Sequence, residues 1–463
     1  MTDLPFERDV RRLASAVSGP VLAPGDEGYA GECAGANLAV AHRPQVVVGA
    51  ATEGDVQTAV RFAREHALPM GVLATGHGPS LPVDEGVLIT TRRLDRVRVD
   101  AGARAAHVGA GALWGPVVHA AAREGLAPLV GSSPSVGVVG YTLGGGLSIS
   151  MARAHGWAAD HVQAMDVVTA DGELRRAAPR DEPDLYWALL GGKSNFGVVT
   201  TMAFTLFPVT RLYAGNLYYA AEHAGQVLRA YRDFTASAPD EVTSSFALMR
   251  MPDAPFLPAF MRGTLTVNVR VSCVAPPAEG ARLVAPLRYA APLLADTVTE
   301  MPYADCLGIV PEGGEPWAAV EHFALLDDLT PQAVEAVLDT VGPDAATRID
   351  IVDIRHLGGA LAAPPLAPNA VGNRDAGFAV LTLTFTAPGE AALSAASGTE
   401  LTERIAPRPG DRRHPTFLSH ADAVEERTQA AYSPETYRRL RAVKARYDPD
   451  NVFRFNHNIP AAG

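Results

Sequence analysis

The chain is poor in cysteine, in long apolar runs and in basic charge. Its cysteines, Cys33, Cys273 and Cys306, are three in number with no metal-ligand spacing among them, which fits a reducing compartment. No stretch approaches the ~20 apolar residues of a membrane span, so no membrane partner is expected. Residues 1–9 carry charges where a signal peptide needs an apolar core, and a cytoplasmic location is expected. Lys and Arg total 39 against 51 Asp and Glu, a net charge of −12, which excludes sequence-independent nucleic-acid binding. It does not exclude an anionic cofactor, because loop amides and helix N-termini supply local positive potential. There is no internal repeat and no low-complexity tract. What remains is 48% apolar and 19% charged, the balance of a soluble globular enzyme, and 463 residues exceed what one core supports.

Two glycine-rich loops organise the chain. Residues 70–80 read as a short apolar run ending in Ala74-Thr75-Gly76-His77-Gly78-Pro79-Ser80, with one histidine between two glycines. Glycines there let the backbone press against a ligand. A second run, 131–148, carries Gly131, Gly137, Gly140, Gly144, Gly145 and Gly146. Two such loops in one domain point to a large, phosphate-bearing cofactor touched mainly by backbone.

The periodicity predicts a strand over 46–51, a helix capped by Thr52 with Val56, Ala59, Val60 and Ala63 on one face, and a strand over 70–74. That β-α-β opening delivers His77 at the carboxyl end of a strand, where α/β proteins bind ligands. Strands are expected at 86–89, 96–99 and 105–108, and residues 109–115 read as a tight turn into a helix over 114–124. Their glycine spacing is wrong for a dinucleotide fingerprint. Ala170-Asp171-Gly172 signals a hairpin between 164–169 and 173–177. A helix is expected at 184–190 and a strand at 197–208. The character changes near Pro208. Beyond it, strands at 244–250, 264–274, 349–355 and 378–386 alternate with helices at 220–236, 331–340 and 391–405, with loops at 276–280 and 362–369. That pattern fits an α+β domain with a largely antiparallel sheet. The tail reads as a helix over 434–446 followed by a Pro-Asp-Asn turn.

Four blocks carry a resemblance: 74–80, 131–148, 184–200 (Asp-Leu-Tyr-Trp-Ala-Leu-Leu-Gly-Gly-Lys-Ser-Asn-Phe-Gly-Val-Val-Thr) and 447–460 (Tyr-Asp-Pro-Asp-Asn-Val-Phe-Arg-Phe-Asn-His-Asn-Ile-Pro). In that order the chain resembles the FAD-linked oxidases with a vanillyl-alcohol-oxidase-type (PCMH-type) flavin domain, in the berberine-bridge-enzyme-like branch. The resemblance implies an α+β fold: a two-subdomain FAD-binding domain over 1–208, an α+β substrate domain over 209–410, and a segment over 411–463 returning to the flavin domain.

It also implies the site. His77 matches the histidine that bonds covalently to the flavin. The branch's second tether, a cysteine, falls on Ser133, a far poorer nucleophile, so a single covalent link through His77 is expected. Val136 matches a small position that leaves space for oxygen. Cofactor contacts are expected from Ala74, Thr75, Gly76, His77, Gly78, Pro79 and Ser80, and from Ser132, Ser133, Val136, Gly137, Gly140, Tyr141, Thr142, Gly144, Gly145 and Gly146. Asn195, Gly197, Val198, Val199, Asn456 and Asn458 complete the set. The chain departs from the family at Lys193 and Ser194, where glycines are usual; Lys193 either pairs with a phosphate or is solvated. Alcohol-oxidising relatives use two tyrosines, one just after the triple glycine and one near the C-terminus. Here the first is Leu147, and the second segment reads Phe417-Leu418-Ser419-His420-Ala421-Asp422. That leaves His420, read in a strand, and Tyr141 as candidate bases.

The expected activity is an FAD-dependent oxidase. It would take a hydride from a hydroxyl- or amine-bearing carbon of a natural-product-type small molecule, with O2 as acceptor, H2O2 released and ring formation in some relatives. The alternatives are a flavin-carrying drug-binding or resistance protein and a flavin dehydrogenase that rejects O2.

Overall fold

The computed structural model describes residues 5–78, 81–255, 257–310, 316–386, 391–406 and 412–462, so Pro79 and Ser80 lie outside the described residues. Three sheets build it. The first has the order Val21–Leu22, Val46–Gly49, Val87–Thr90, Met70–Leu73, and its last three strands are parallel. The helix Glu53–Glu65 crosses between two of them, its N-terminus capped by the Thr52 side chain accepting from the Asp55 amide. Val56, Ala59, Val60 and Ala63 bury one face against Val46, Val48, Val87 and Ile89. The β-α-β opening therefore forms, and residues 74–78 leave the carboxyl end of Met70–Leu73.

The second sheet is antiparallel, ordered Val97–Asp100, Ala105–Gly109, Val198–Thr205, Val162–Val168, Leu174–Ala177. The Ala170-Asp171-Gly172 hairpin closes as expected, with Gly172 at φ 80°.

The third sheet has eight strands: Leu293–Asp296, Arg211–Ala220, Leu265–Cys273, Val242–Arg250, Ile351–His356, Phe378–Phe385 and Ala319–Leu326 in order, with Thr299–Pro302 also pairing Arg211–Ala220. Every pairing is antiparallel. Leu217, Phe246, Val269, Ile354 and Val380 fill one face and pack under helices Ala224–Thr235, Pro277–Arg288 and Pro331–Val341. Because successive strand residues alternate faces, the register puts Asn216, Asn268, Arg270, Asp353, Arg355 and Glu321 together on the other.

The structure corrects several expectations. Residues 276–280 are not a loop: Pro277 starts a helix that runs to Arg288, at the first-turn position where proline's missing N–H costs nothing. A helix, Pro5–Ala16, occupies a region read as loop-rich. Strands Arg211–Ala220 and Ala319–Leu326 did not stand out in the sequence. The first is buried on both faces along most of its length, so it lacks the alternation that marks a strand.

The C-terminal helix Pro434–Tyr447 returns to the first half of the chain through a buried lysine. Lys444 Nζ donates to Asp448 Oδ2 at 2.6 Å, to the Asn195 carbonyl at 2.7 Å and to the Phe453 carbonyl at 3.0 Å, with both charged side chains 0% exposed. Asp448 in turn accepts from the amides of Val452 and Phe453. Burial pulls the Lys444 amine below its ordinary pKa, and Asp448 pulls the other way. Lys444→Met is expected to lower the unfolding free energy by about 3–5 kcal/mol in urea denaturation, because it strands a buried carboxylate. Adding Asp448→Leu should recover part of the loss. A single variant as stable as the parent would contradict this pairing.

Candidate functional site

The two glycine loops meet. The His77 Nε2 lies 3.0 Å from Ser135 Oγ, which is 2.8 Å from Ser133 Oγ, and the Gly137 amide donates to Thr75 Oγ1 at 3.4 Å. Gly76 takes φ 68°, and a Cβ there would come within 2.7 Å of the Gly35 backbone. Burial holds the His77 imidazole below its ordinary pKa, so the ring is neutral at pH 7 and keeps a lone pair for bond formation. The turn at 109–115 supports the second loop from behind: Trp114 N donates to the Val136 carbonyl and Gly115 N to that of Pro134.

The triple glycine works differently from the expectation. Loop amides of Gly145 and Gly146 were expected to line the cofactor, but they donate to the Thr142 carbonyl and to Thr416 Oγ1. Their glycines are required by packing instead. With φ 124° and 75°, Cβ atoms there would approach Thr416 Oγ1 and the Tyr141 ring at 2.6 Å each. The Thr142 hydroxyl is spent on the Val138 carbonyl inside the short helix Val138–Leu143. Gly140 is the open position: nothing among the described residues lies within 4 Å of a Cβ built on it, and the same holds at Gly78. His414, stacked on Trp157 at 4.1 Å between ring centroids, backs this loop.

The third and fourth blocks interlock. Asn195 Nδ2 donates to the carbonyls of Gly192 and His457, and its Oδ1 accepts from Ile459 N. Asn195 therefore holds the tail to the loop, and both of its side-chain N–H groups are already committed. Val198 and Val199 are strand residues whose side chains sit in apolar cores, and Gly197 precedes them because a Cβ there would lie 2.5 Å from the Val168 carbonyl oxygen. Asn456 and Asn458 are different: the Oδ1 of each is buried with no hydrogen-bond partner among the described residues.

The candidate bases are not where they were expected. His420 lies in a short 3-10 turn, His420–Asp422, not a strand, and it is exposed. Tyr141 donates its hydroxyl to the Leu129 carbonyl, and burial pushes its phenol well above the ordinary value, so it holds its proton rather than accepting one.

Sequence reasoning missed Glu321. Asn37 links the first loop to the strand that carries it: Asn37 N donates to the Gly76 carbonyl at 3.3 Å, and Asn37 Nδ2 to that of Ala319 at 3.0 Å. Burial pushes the Glu321 carboxyl up to about 7, with Arg355 pulling the other way. Arg355 also acts on Tyr141 of the second loop, opposing the upward push of burial on that phenol. Arg355 and Arg270 bracket the buried Asp353 at 3.0 and 3.1 Å. The available signal was an acid in an otherwise mostly apolar run, Ala-Val-Glu-His-Phe-Ala-Leu-Leu.

Unpartnered amide oxygens at 456 and 458, a neutral imidazole at 77 and open backbone at Gly78 and Gly140 fit a flat, polar heterocycle with an anionic tail, as FAD is. Comparisons agree. Residues 44–178 match the family described as FAD binding domain, and 412–460 match the family described as berberine and berberine like. The chain is 27% identical to (R)-6-hydroxynicotine oxidase of Paenarthrobacter nicotinovorans over 97% of its length and 98% of the relative's. It is 25% identical to an FAD-linked oxidoreductase of Bacillus subtilis, covering 96% and 97%. The solved 6-hydroxy-D-nicotine oxidase of Arthrobacter nicotinovorans superposes with a TM-score of 0.83 at 25% identity, covering 96% of this chain and 98% of that one. A chitooligosaccharide oxidase shares the fold, with a TM-score of 0.84 at 19% identity and coverages of 98% and 100%. No helix among the described residues is long and apolar enough to cross a membrane.

The glycine geometry separates packing from binding. Gly146→Ala is expected to lower stability by about 1–3 kcal/mol in thermal denaturation, through strain and collision with Tyr141. Gly140→Ala should stabilise the protein by up to about 1 kcal/mol as a helix substitution, yet weaken retention of flavin. Equal effects of the two on stability would contradict this division.

Proposed function

Because the chain belongs to the FAD-linked oxidoreductases of the berberine-bridge-like branch, we propose that it oxidises a small molecule at a carbon bearing a hydroxyl or amine. Dioxygen takes the electrons and hydrogen peroxide leaves. FAD supplies, when bound, the two-electron acceptor for the hydride and the route to O2. The relative named (R)-6-hydroxynicotine oxidase supports an amine-bearing carbon of a natural-product-type substrate, whether or not ring closure follows.

The observation that carries the reading is the placement of Glu321 on a polar wall tied to the His77 loop through Asn37. In this reading His77 forms the single covalent link to FAD, since Ser133 and Ser135 are engaged with each other as hydroxyls and offer no thiolate. Val136, held by Trp114 N, leaves room for oxygen beside the ring. Asn456 and Asn458 accept hydrogen bonds from the ring's polar edge. Glu321 takes the proton of the substrate hydroxyl or ammonium as the carbon gives up its hydride, so that two electrons and two protons in all reach O2. Arg355 orients the substrate from the same wall and keeps Glu321 from rising further. The three segments 1–208, 209–410 and 411–463 are the flavin domain, the substrate domain and the returning tail.

Purified enzyme given (R)-6-hydroxynicotine or related secondary amines and alcohols should release one peroxide per molecule oxidised, read by a peroxidase-coupled assay. A base acts ionised, so kcat/KM should rise with pH through about 7. Glu321→Gln should cost about 10²–10⁴ in kcat/KM and abolish that limb. A Gln variant that keeps the limb would remove Glu321 from this role.

A further inference from the structure

Lys193 sits where its own backbone disfavours it. It ends the helix Pro183–Gly192 at φ 56°, ψ −140°, a left-handed geometry that favours glycine. Its Cε lies 3.0 Å from where a Gly144 Cβ would stand, so the side chain crosses the first residue of the triple glycine. Next in the chain, Ser194 Oγ receives the Asn456 side-chain amide at 3.4 Å. The ammonium thus lies beside Gly144, near enough to Asp422 and His457 to act on both electrostatically. It makes no hydrogen bond or ion pair among the described residues.

The charged and titratable groups around it are committed elsewhere. Asp422 is paired with Arg413 at 3.0 Å and accepts from Ser419. His457 Nε2 meets the Ser419 carbonyl at 2.7 Å, and His414 Nδ1 accepts from Thr416 N at 3.2 Å. Burial first, and cationic neighbours including Lys193 after it, hold both imidazoles neutral, so neither competes for the cation's role. His420, on the same turn as Asp422, is exposed. A half-buried cation on a strained backbone, without a partner among the described residues, calls for an acceptor, and the unpartnered oxygens of Asn456 and Asn458 call for a donor; a heterocycle edge that carries both completes the two.

We infer that Lys193 contacts the cofactor: its ammonium faces the pyrimidine edge of the bound flavin, beside Asn456 and Asn458, and offsets the charge the ring gains on reduction. Two electrons and one proton leave that ring with one net negative charge, and an adjacent cation in a low-dielectric site favours the reduced form. This rests on the reading of FAD as cofactor. The strained backbone is retained for the charge it delivers.

The test uses the holoenzyme and its variants Lys193→Met, Lys193→Gly and Lys193→Arg. Flavin content is read first by absorbance. Reduction by dithionite is then titrated against a reference dye. Lys193→Met and Lys193→Gly should shift the reduction equilibrium toward the oxidised form by about tenfold, which is about 30 mV for a two-electron couple, and Lys193→Arg should restore it. Lys193→Gly should also raise the thermal denaturation midpoint, because glycine accepts the backbone geometry; a lysine kept for structure would give the opposite. Loss of flavin from Lys193→Met with retention in Lys193→Arg supports the same contact. Flavin-loaded Lys193→Met with an unchanged equilibrium overturns the inference, as does loss of flavin from both Met and Arg variants. A parent enzyme without flavin overturns instead the reading on which it rests.

Discussion

Everything around the proposed flavin edge depends on one buried ion pair. Lys444 and Asp448 are wholly enclosed, and between them they satisfy two carbonyls and two amides drawn from 195 and 452–453. A surface pair such as Arg229–Glu335, with both side chains half-exposed, contributes about 0–1 kcal/mol and positions nothing. The buried pair gains little net energy over an apolar substitute, yet removing one partner leaves a bare charge in the interior. Its value lies in register. With Asn195 fastened to His457 and Ile459, it fixes where Asn456 and Asn458 present their unpartnered oxygens and where Lys193 leaves the loop.

The second constraint is the two-faced sheet. One face is aliphatic and packs under helices, so burial holds the substrate-side half of the molecule together. Charge is therefore confined to the opposite face, where the arginines on either side hold Asp353 below the usual carboxylate range against its burial and Glu321, with only Arg355 to help it, rises. Two carboxyls on one wall thus hold different protonation states near neutral pH, one a fixed anion and the other poised to exchange a proton. Asn37 ties this wall to the first glycine loop, which brings a proton acceptor and an imidazole into one region from opposite ends of the sequence.

Much of this was legible from the residues. The stripe Val56, Ala59, Val60 and Ala63 and the Asp-Gly hairpin are local signals that tertiary structure left intact. The glycine loops were legible as loops, but the fate of each amide was not, because Thr416, which takes the Gly146 amide, lies 270 positions away. Likewise Asn195 reads as a cofactor contact, and only the fold shows that its N–H groups go to Gly192 and His457 and that its oxygen holds Ile459. Glu321 stood out locally only as an acid in a mostly apolar run, and it takes the register across Leu383 and Ile351 to place it on the wall of Arg355. His420 is exposed in a short turn and not in a strand, since a match to a motif position carries no information on local structure or exposure.

At the centre stands a neutral imidazole held beside Ser135, which the proposed function joins to the cofactor by a covalent bond. Intact mass under denaturing conditions reports on that bond alone. The account predicts a mass above the bare chain by one FAD, unchanged in Ser133→Ala apart from the lost oxygen, and reduced to the bare chain in His77→Ala. Yellow, flavin-loaded protein whose denatured chain has the mass of the polypeptide alone would contradict it.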